Sequence, residues 1–421
     1  MSFAKQSLRR VAIVSACRTA IGGFGDSLKS VKAPHLAATV MREAVRRAGP
    51  NFDVNVLGDV RFGNCVEDND ALNVTRVAML LAGLPVTIPA VTVNRVCTSG
   101  MEATVVAMHQ IQAGFIDAAL TGGVESMSNA PYLLPAARWG ARLQDSAMVD
   151  SIIHALHCGS HYLPYPKDGA AEWARGKPYI MGATAEFLVQ KYGFTRQQQD
   201  EVALRSNNAA ERAATNGRFA DEIVAVSVEQ GRGKPALAFA RDEHYRPNLK
   251  LDDLAKLPPV FIPKTGTVTA GNSSGLNDGA SATIIMAEDR AKALGLKPLA
   301  YIVGAGIGAC VPELMGISPV PAVNDLLRRR GHASCKAFDR VEVNEAFASQ
   351  YLAVEHELKL NRDVTNVNGS GIGLGHPVGM TGNRLIVTLV HELRKNDLER
   401  GMATLCGGGG VSLAVEIENA R

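Results

Sequence analysis

The chain runs through one plan twice. In the first half Cys97-Thr98-Ser99-Gly100-Met101 opens a segment with apolar residues at Met101, Val105 and Met108, closed by Gly114. In the second half His376-Pro377-Val378-Gly379-Met380 leads into Leu385, Ile386, Leu389, Val390 and Leu393. Both segments have helical period. Gly114 suits the end of the first helix, and Pro377 suits the first turn of the second, where a missing N–H costs nothing. A short strand and a glycine pair or run follow each: Ala118-Ala119-Leu120-Thr121 before Gly122-Gly123, and Met402 to Cys406 before Gly407 to Gly410. The halves also begin alike, with VAIVSACRTA near the start and LAYIVGAGIGA at 299–309. Strands alternating with helices predict an α/β fold with parallel sheets covered on both faces. A duplicated fold sets Cys97 and His376 at equivalent helix starts, facing one cleft.

The domains expected are an N-terminal α/β half (1–125 and 276–297), a loop domain (126–275) and a C-terminal α/β half (298–421). The middle stretch carries predicted helices from about Thr184 to Tyr192 and over Arg196–Asn216. Its segment 154–179, rich in Gly, Pro and aromatics, reads as an inserted lid or binding loop. Gly304-Ala305-Gly306-Ile307-Gly308 mimics a dinucleotide fingerprint. The nearby Pro312, Gly316, Pro319 and Pro321 argue against the helix such a site needs, so the run reads as a turn. Arg328-Arg329-Arg330 before Gly331 reads as a helix end on a solvated face.

Composition narrows the function. A net charge of +3 with scattered basic residues lacks the stripe or patch of a nucleic-acid binder. No apolar run approaches the ~20 residues that cross a bilayer. Seven cysteines without paired spacing, in a chain with room for a real core, favour a reduced compartment. The cytoplasm is the expectation. The alternative is a mitochondrial or other organelle matrix, because the basic opening MSFAKQSLRR faintly resembles a transit peptide.

Cys97, just before a helix start, is either an inert buried thiol or a nucleophile whose pKa the helix dipole lowers. His376, in GSGIGLGHPVG, is either a helix-capping residue or the base for that thiol. Cys406 precedes four glycines whose N–H groups can form an oxyanion hole; a second thiol there means redox chemistry or proton transfer. Asn344 and Glu345 lie at a strand end, where α/β sheets collect ligands.

NRVCTSG, GGVESMSNAPY, GTVTAGNSSGLNDGA, NEAFA, NGSGIGLGHPVG and LCGGGG, in that order along nearly the whole chain, resemble the thiolase family. The resemblance implies the thiolase fold: two duplicated α/β halves in a layered αβαβα arrangement with an inserted loop domain. It implies reversible coenzyme A-dependent cleavage of a 3-ketoacyl-CoA, or condensation of acetyl-CoA with an acyl-CoA, through an acyl-cysteine. Cys97 would be acylated. His376, with a water held by Asn344, would activate it and bind one thioester oxygen. Cys406 would move the α-proton, and the N–H groups of Cys97 and Gly408 would form a second oxyanion hole. Ser274, Phe261, Met181, Ala270 and Phe347 would line the substrate path, and Arg246 would meet the nucleotide phosphates. The resemblance implies no metal or resident cofactor, coenzyme A being a substrate, and a homodimer or homotetramer. A catalytically silent acyl-CoA- or lipid-binding relative is the alternative.

Two features depart from the family pattern. Ile180 stands where biosynthetic members carry a histidine before Met-Gly, which points to acyl groups beyond acetoacetyl. The longer loop before it holds His154, His157, Cys158 and His161, a spacing compatible with a metal, against the plainer reading of a polar surface loop.

Overall fold

The computed structural model describes residues 8–67, 70–231 and 233–420. The first half contains β1 (Val11–Thr19), α1 (Ala33–Ala48), β2 (Leu57–Gly63), α2 (Val74–Leu81), β3 (Ala90–Val93), α3 (Ser99–Gln112) and β4 (Ala118–Ser126). The middle stretch holds α4 (Ser151–Ala155), α5 (Met181–Tyr192) and α6 (Arg196–Thr215), after which β5 (Asn277–Ala287) returns to the sheet. The second half contains β6 (Ala300–Ala309), α7 (Pro319–Arg330), β7 (Arg340–Val343), α8 (Ala348–Leu358), α9 (Val378–Lys395), β8 (Arg400–Gly407) and β9 (Val411–Asn419). The N-terminal segment that suggested a transit peptide lies largely outside the described residues.

These strands form one sheet in the order β7-β8-β9-β6-β1-β5-β4-β2-β3. The two halves meet where β1 pairs antiparallel with β6, from Val11 opposite Ile302 to Ile13 opposite Ala300. Alternate strand residues feed different layers, the period-two rule of a sheet covered on both faces. Val14, Ile284 and Met286 pack with Leu36, Val40, Met41 and Met79 of α1 and α2. Ile13, Ile285 and Val415 face the other way, onto Met101, Val105 and Met108 of α3 and Leu385, Leu389 and Val390 of α9. Val341 and Met402 pack with Leu326 of α7 and Tyr351 of α8. The layers therefore run helix, strand, helix, strand, helix, with α3 and α9 at the centre.

The expectation of parallel sheets is corrected. Among the nine strands named, β2/β3, β2/β4 and β7/β8 pair in parallel, and the short strand Ile223–Val224 runs parallel to the end of β1. β5 pairs antiparallel with both β4 and β1, and β9 does the same with β8 and β6. For β8 and β9 the reason is connection length. Gly408–Gly410 is a tight turn between β8 and β9, far too short for the crossover a parallel pair needs.

The glycine run at 304–308 is strand, not turn, and a helix does follow it. Pro319 and Pro321 sit in the first turn of α7, where proline is tolerated. The glycines let that helix lie on bare backbone: a Cβ on Gly306 would stand 2.2 Å from the Ala322 carbonyl oxygen, and one on Gly308 2.3 Å from the Ala322 nitrogen. α7 ends at Arg330 before Gly331 in the left-handed conformation. Arg329 pairs with Asp325 at 2.7 Å on the open side, whereas Arg330 turns inward to the buried Glu416 at 2.9 Å.

α5 begins at Met181, three residues before the predicted start, because the extended Ile180 precedes it and Gly182 lets its first turn close on the ring of Phe261. The 154–179 segment is packed down. Phe187 of α5 stacks on Tyr165 at 4.6 Å and Trp173 at 4.8 Å and meets Tyr179 edge-on at 5.7 Å. The buried Ser160 hydroxyl donates to the Tyr179 carbonyl at 2.7 Å and accepts its N–H at 2.9 Å, closing the base of the loop.

Candidate active site

Cys97 follows β3 through a strained turn. Val96 has φ +50, rare for a β-branched residue and worth about 1–3 kcal/mol of strain. Local hydrogen bonds hold it there: Asn94 Oδ1 accepts the Val96 N–H at 3.0 Å, and Ser99 Oγ accepts the Arg95 N–H at 2.8 Å and donates to the Val96 carbonyl at 2.5 Å. The turn aims Cys97 off the N-terminal end of α3.

Glycine contacts bring the two halves of the repeat together. A Cβ on Gly100 would lie 2.8 Å from the Gly379 carbonyl oxygen, and one on Gly382 2.6 Å from the Met101 nitrogen. The starts of α3 and α9 therefore cross backbone to backbone. Buried Glu125, at the end of β4, accepts N–H groups from Cys65 at 2.9 Å, Val66 at 3.1 Å and Gly379 at 2.8 Å, with Asn64 Nδ2 at 2.8 Å. It ties the loop after β2 to the first turn of α9; these N–H groups favour the carboxylate, but burial outweighs them and pushes its pKa up to about 8.

His376 is fixed on three sides. Its N–H donates to Asn277 Oδ1 at 2.9 Å, its Nδ1 is 2.7 Å from Thr381 Oγ1, and its Nε2 is 3.3 Å from Asn344 Nδ2. Burial, with the Arg384 charge acting the same way, depresses its pKa to about 3, so the imidazole is neutral. Asn344 Oδ1 is buried without a partner, a position suited to an ordered water.

Cys97 corrects the dipole argument. Burial pushes its thiol up to about 12 and nearby Cys158 adds to the rise, whereas the N–H groups of Gly408 and of Cys97 itself act in the opposite direction. Desolvation outweighs the helix terminus, so the resting sulfur is a thiol. Cys406, at the end of β8, is also raised by burial and then by Cys97.

Cys97, His376, Cys406 and Gly408 line one cavity of about 310 Å³. Met181, Phe261, Ser274 and Phe347 line it too, with Ile153, Leu156 and Ile180 on an apolar wall. Phe261 meets Phe347 edge-on at 6.3 Å. Asn344 reaches it through His376. Arg246 and Ala270 belong to an adjoining cavity of about 290 Å³, and Ser273 lines both.

The histidines of the inserted loop come together by packing their rings against one another. His154 stacks on His161 at 4.7 Å and His157 lies 4.4 Å from His161, and among the described residues no group of His, Cys, Asp or Glu is arranged to hold a metal. Their neighbour Cys158, weighed in the sequence only as a ligand, instead turns inward: a Cβ on Gly408 would stand 2.2 Å from its sulfur. No local pattern signals that contact. Thr381 is another residue missed, as are Asn277 and Glu125, although a hydroxyl five positions after a candidate base is a signal the sequence does carry.

A thiol and a second thiol beside a neutral imidazole, with the N–H groups of Gly408 and Cys97 near the first sulfur, are the groups a cysteine acyltransferase requires. Residues 11–289 match the thiolase N-terminal domain and 296–419 the thiolase C-terminal domain. An acetyl-CoA acetyltransferase of Chromobacterium violaceum is 44% identical over 97% of this chain and 99% of its own length. The acetyl-CoA acetyltransferase structure from Bacillus anthracis superposes with a TM-score of 0.90 at 43% identity, covering 98% of this chain and 99% of the other. Human mitochondrial 3-ketoacyl-CoA thiolase superposes with a TM-score of 0.89 at 39% identity, covering 98% and 100%. The chain belongs to the thiolase family, and its activity is that of a thiolase.

Proposed function

We propose that the chain breaks and makes the carbon–carbon bond of 3-ketoacyl-CoA with the following division of labour. In cleavage, Cys97 Sγ attacks the keto carbon as His376 Nε2 takes its proton. The bond to the α-carbon breaks, and the Cys406 thiol protonates the acetyl-CoA carbanion. The thiol of free coenzyme A then gives its proton to the Cys406 thiolate and displaces the acyl group. The departing Cys97 sulfur recovers its proton from His376. The N–H groups of Cys97 and Gly408 hold the oxyanion of each tetrahedral state, and Asn344 with a water holds the enolate oxygen beside His376. Condensation runs the same steps backwards.

One observation carries this reading: Cys97, His376, Cys406 and Gly408 border the same 310 Å³ cavity. The high Cys97 pKa and low His376 pKa favour proton transfer coupled to attack over a resting ion pair. Ser274 and Phe261 line the pantetheine path, Ala270 borders it, and Arg246 meets the nucleotide phosphates. The 126–275 stretch serves as the coenzyme A-binding domain. The apolar wall of Ile153, Leu156 and Ile180 supports acyl groups longer than acetoacetyl. A cytoplasmic homodimer or homotetramer is the proposed form. No helix among the described residues is long and apolar enough to cross a membrane.

The test is coenzyme A-dependent loss of the acetoacetyl-CoA enolate absorbance. Cys97→Ala should fold normally and show none; turnover by that variant would overturn the assignment of the nucleophile.

A further inference from the structure

We infer that Thr381 is a positioning residue that holds His376 as the tautomer protonated at Nδ1, leaving Nε2 unprotonated, with a lone pair that exchanges its long contact to the Asn344 amide for the Cys97 proton during the reaction. The inference rests on the proposal that His376 is the base, and it explains why a buried, neutral ring points its basic nitrogen one way.

A neutral imidazole has a single ring proton and two nitrogens to hold it. Both nitrogens of His376 are buried and both face polar atoms, so the neighbours decide. On the Nε2 side stands Asn344 Nδ2 at 3.3 Å, an amide nitrogen that only donates. A proton on Nε2 would face that donor head-on. On the Nδ1 side stands Thr381 Oγ1 at 2.7 Å. The threonine hydroxyl has its own outlet, the carbonyl oxygen of Pro377, the residue that caps the start of α9, at 2.9 Å. Donating there leaves Oγ1 as the acceptor for Nδ1–H. The chain of donors therefore runs from His376 Nδ1 to Thr381 to Pro377, and Asn344 donates into Nε2.

Thr381 is fully buried, so no solvent molecule replaces it cheaply. Pro377 and Thr381 belong to the same turn as His376, which locks the ring to the start of α9 rather than to a mobile loop. The arrangement performs the task that a buried carboxylate performs behind other catalytic histidines, with a neutral hydroxyl. A neutral partner leaves the imidazole pKa low, in keeping with a ring that carries charge only during the reaction.

The experiment combines kinetics with nitrogen-15 NMR of His376 in the full-length enzyme. The wild-type ring should show a protonated Nδ1 and a bare Nε2. Thr381→Val keeps the side-chain shape but strands Nδ1–H, so the ring should shift toward the Nε2-protonated form. Its kcat should fall by about 10²–10⁴-fold, the scale of a wrong-tautomer histidine, with KM for acetoacetyl-CoA little changed. Thr381→Ser should recover both the spectrum and most of kcat. A wild-type ring protonated at Nε2, with the Asn344 amide turned over to accept from it, would overturn the inference, as would a Thr381→Val enzyme with wild-type kcat. Should Thr381→Val fail to fold, the wild-type spectrum alone decides. His376→Asn is the separate control: turnover by that variant would sink the assignment of the base itself.

Discussion

Asn344 Nδ2 stands 3.3 Å from His376 Nε2 while Asn344 Oδ1, on the same amide, is buried with no partner. The two residues come from different segments, one following β7 and the other preceding α9, and they meet at the cavity that also holds Cys97 and Cys406. An amide that both orients the imidazole and offers a free acceptor is equipped to hold a water against a developing enolate oxygen.

Asn344→Ala should therefore lower kcat by about 10²–10³-fold, the usual loss for one oxyanion contact, with a smaller change in KM. Steady-state kinetics with acetoacetyl-CoA measures it. A change confined to KM would mean that Asn344 only helps to bind substrate.

Acid should destabilise the fold through its buried histidines. Burial depresses His376 to about 3 and His244 to about 4, and His391 is lowered as well. Unfolded histidines titrate near 6.5, so below that pH the unfolded chain binds more protons than the native one. The stability these neutral rings contribute is complete above pH 6.5 and is lost as pH falls toward 4 and 3. At about 1.4 kcal/mol per unit, the loss amounts to several kcal/mol. Glu125 and Glu342, both pushed up to about 8 by burial, act in the opposite sense over the same window, so the histidine contribution is read as a difference: the denaturant midpoint of His244→Asn should rise relative to that of the wild type as pH falls from 6.5 to 4. A difference between the two midpoints that stays constant across that window would contradict this.

The substrate range follows from the apolar wall. Ile180 sets a branched hydrocarbon on the same cavity as Ile153 and Leu156, and each buried CH₂ of a longer acyl chain gains about 0.8 kcal/mol. A chain-length series should show turnover well beyond four carbons, and Ile180→His should shift the preference back toward acetoacetyl-CoA. Activity with the four-carbon substrate alone would exclude the wider range.

The inserted loop should depend on one ring. Phe187→Ala removes the centre of the Tyr165, Trp173 and Tyr179 cluster, a change that costs about 3–5 kcal/mol in a packed core. Limited chymotrypsin digestion should then cut within 160–180 faster than in the wild type, at unchanged global fold. Equal resistance would show that other contacts hold the loop.

The turns that carry Cys97, His376 and Cys406 were legible because their signal is local. Cys97, His376 and Cys406 each sit beside glycines that a close backbone approach demands, and the repeat linked the first two. Strand direction was not legible. Alternating helices and strands read as parallel pairing, yet β5 returns to the sheet only after the long 126–275 excursion, and β9 returns through a three-glycine turn. The glycines of β6 read as a turn because the helix that needs them, α7, makes its contact outside any local window. The Cys97 pKa was misjudged for the same kind of reason: the sequence shows a helix start, but desolvation comes from residues distant along the chain. Cys158 against Gly408 joins two segments with no shared pattern at all.

The acyl group itself gives the most direct test. Enzyme mixed with labelled acetyl-CoA alone, quenched in acid, digested and mapped should show the acetyl label on Cys97. A Cys406→Ala enzyme should acquire the same label, because thioester exchange does not need the second thiol, while losing condensation. Label on Cys406 or Cys158, or none on Cys97 under turnover conditions, would contradict the account.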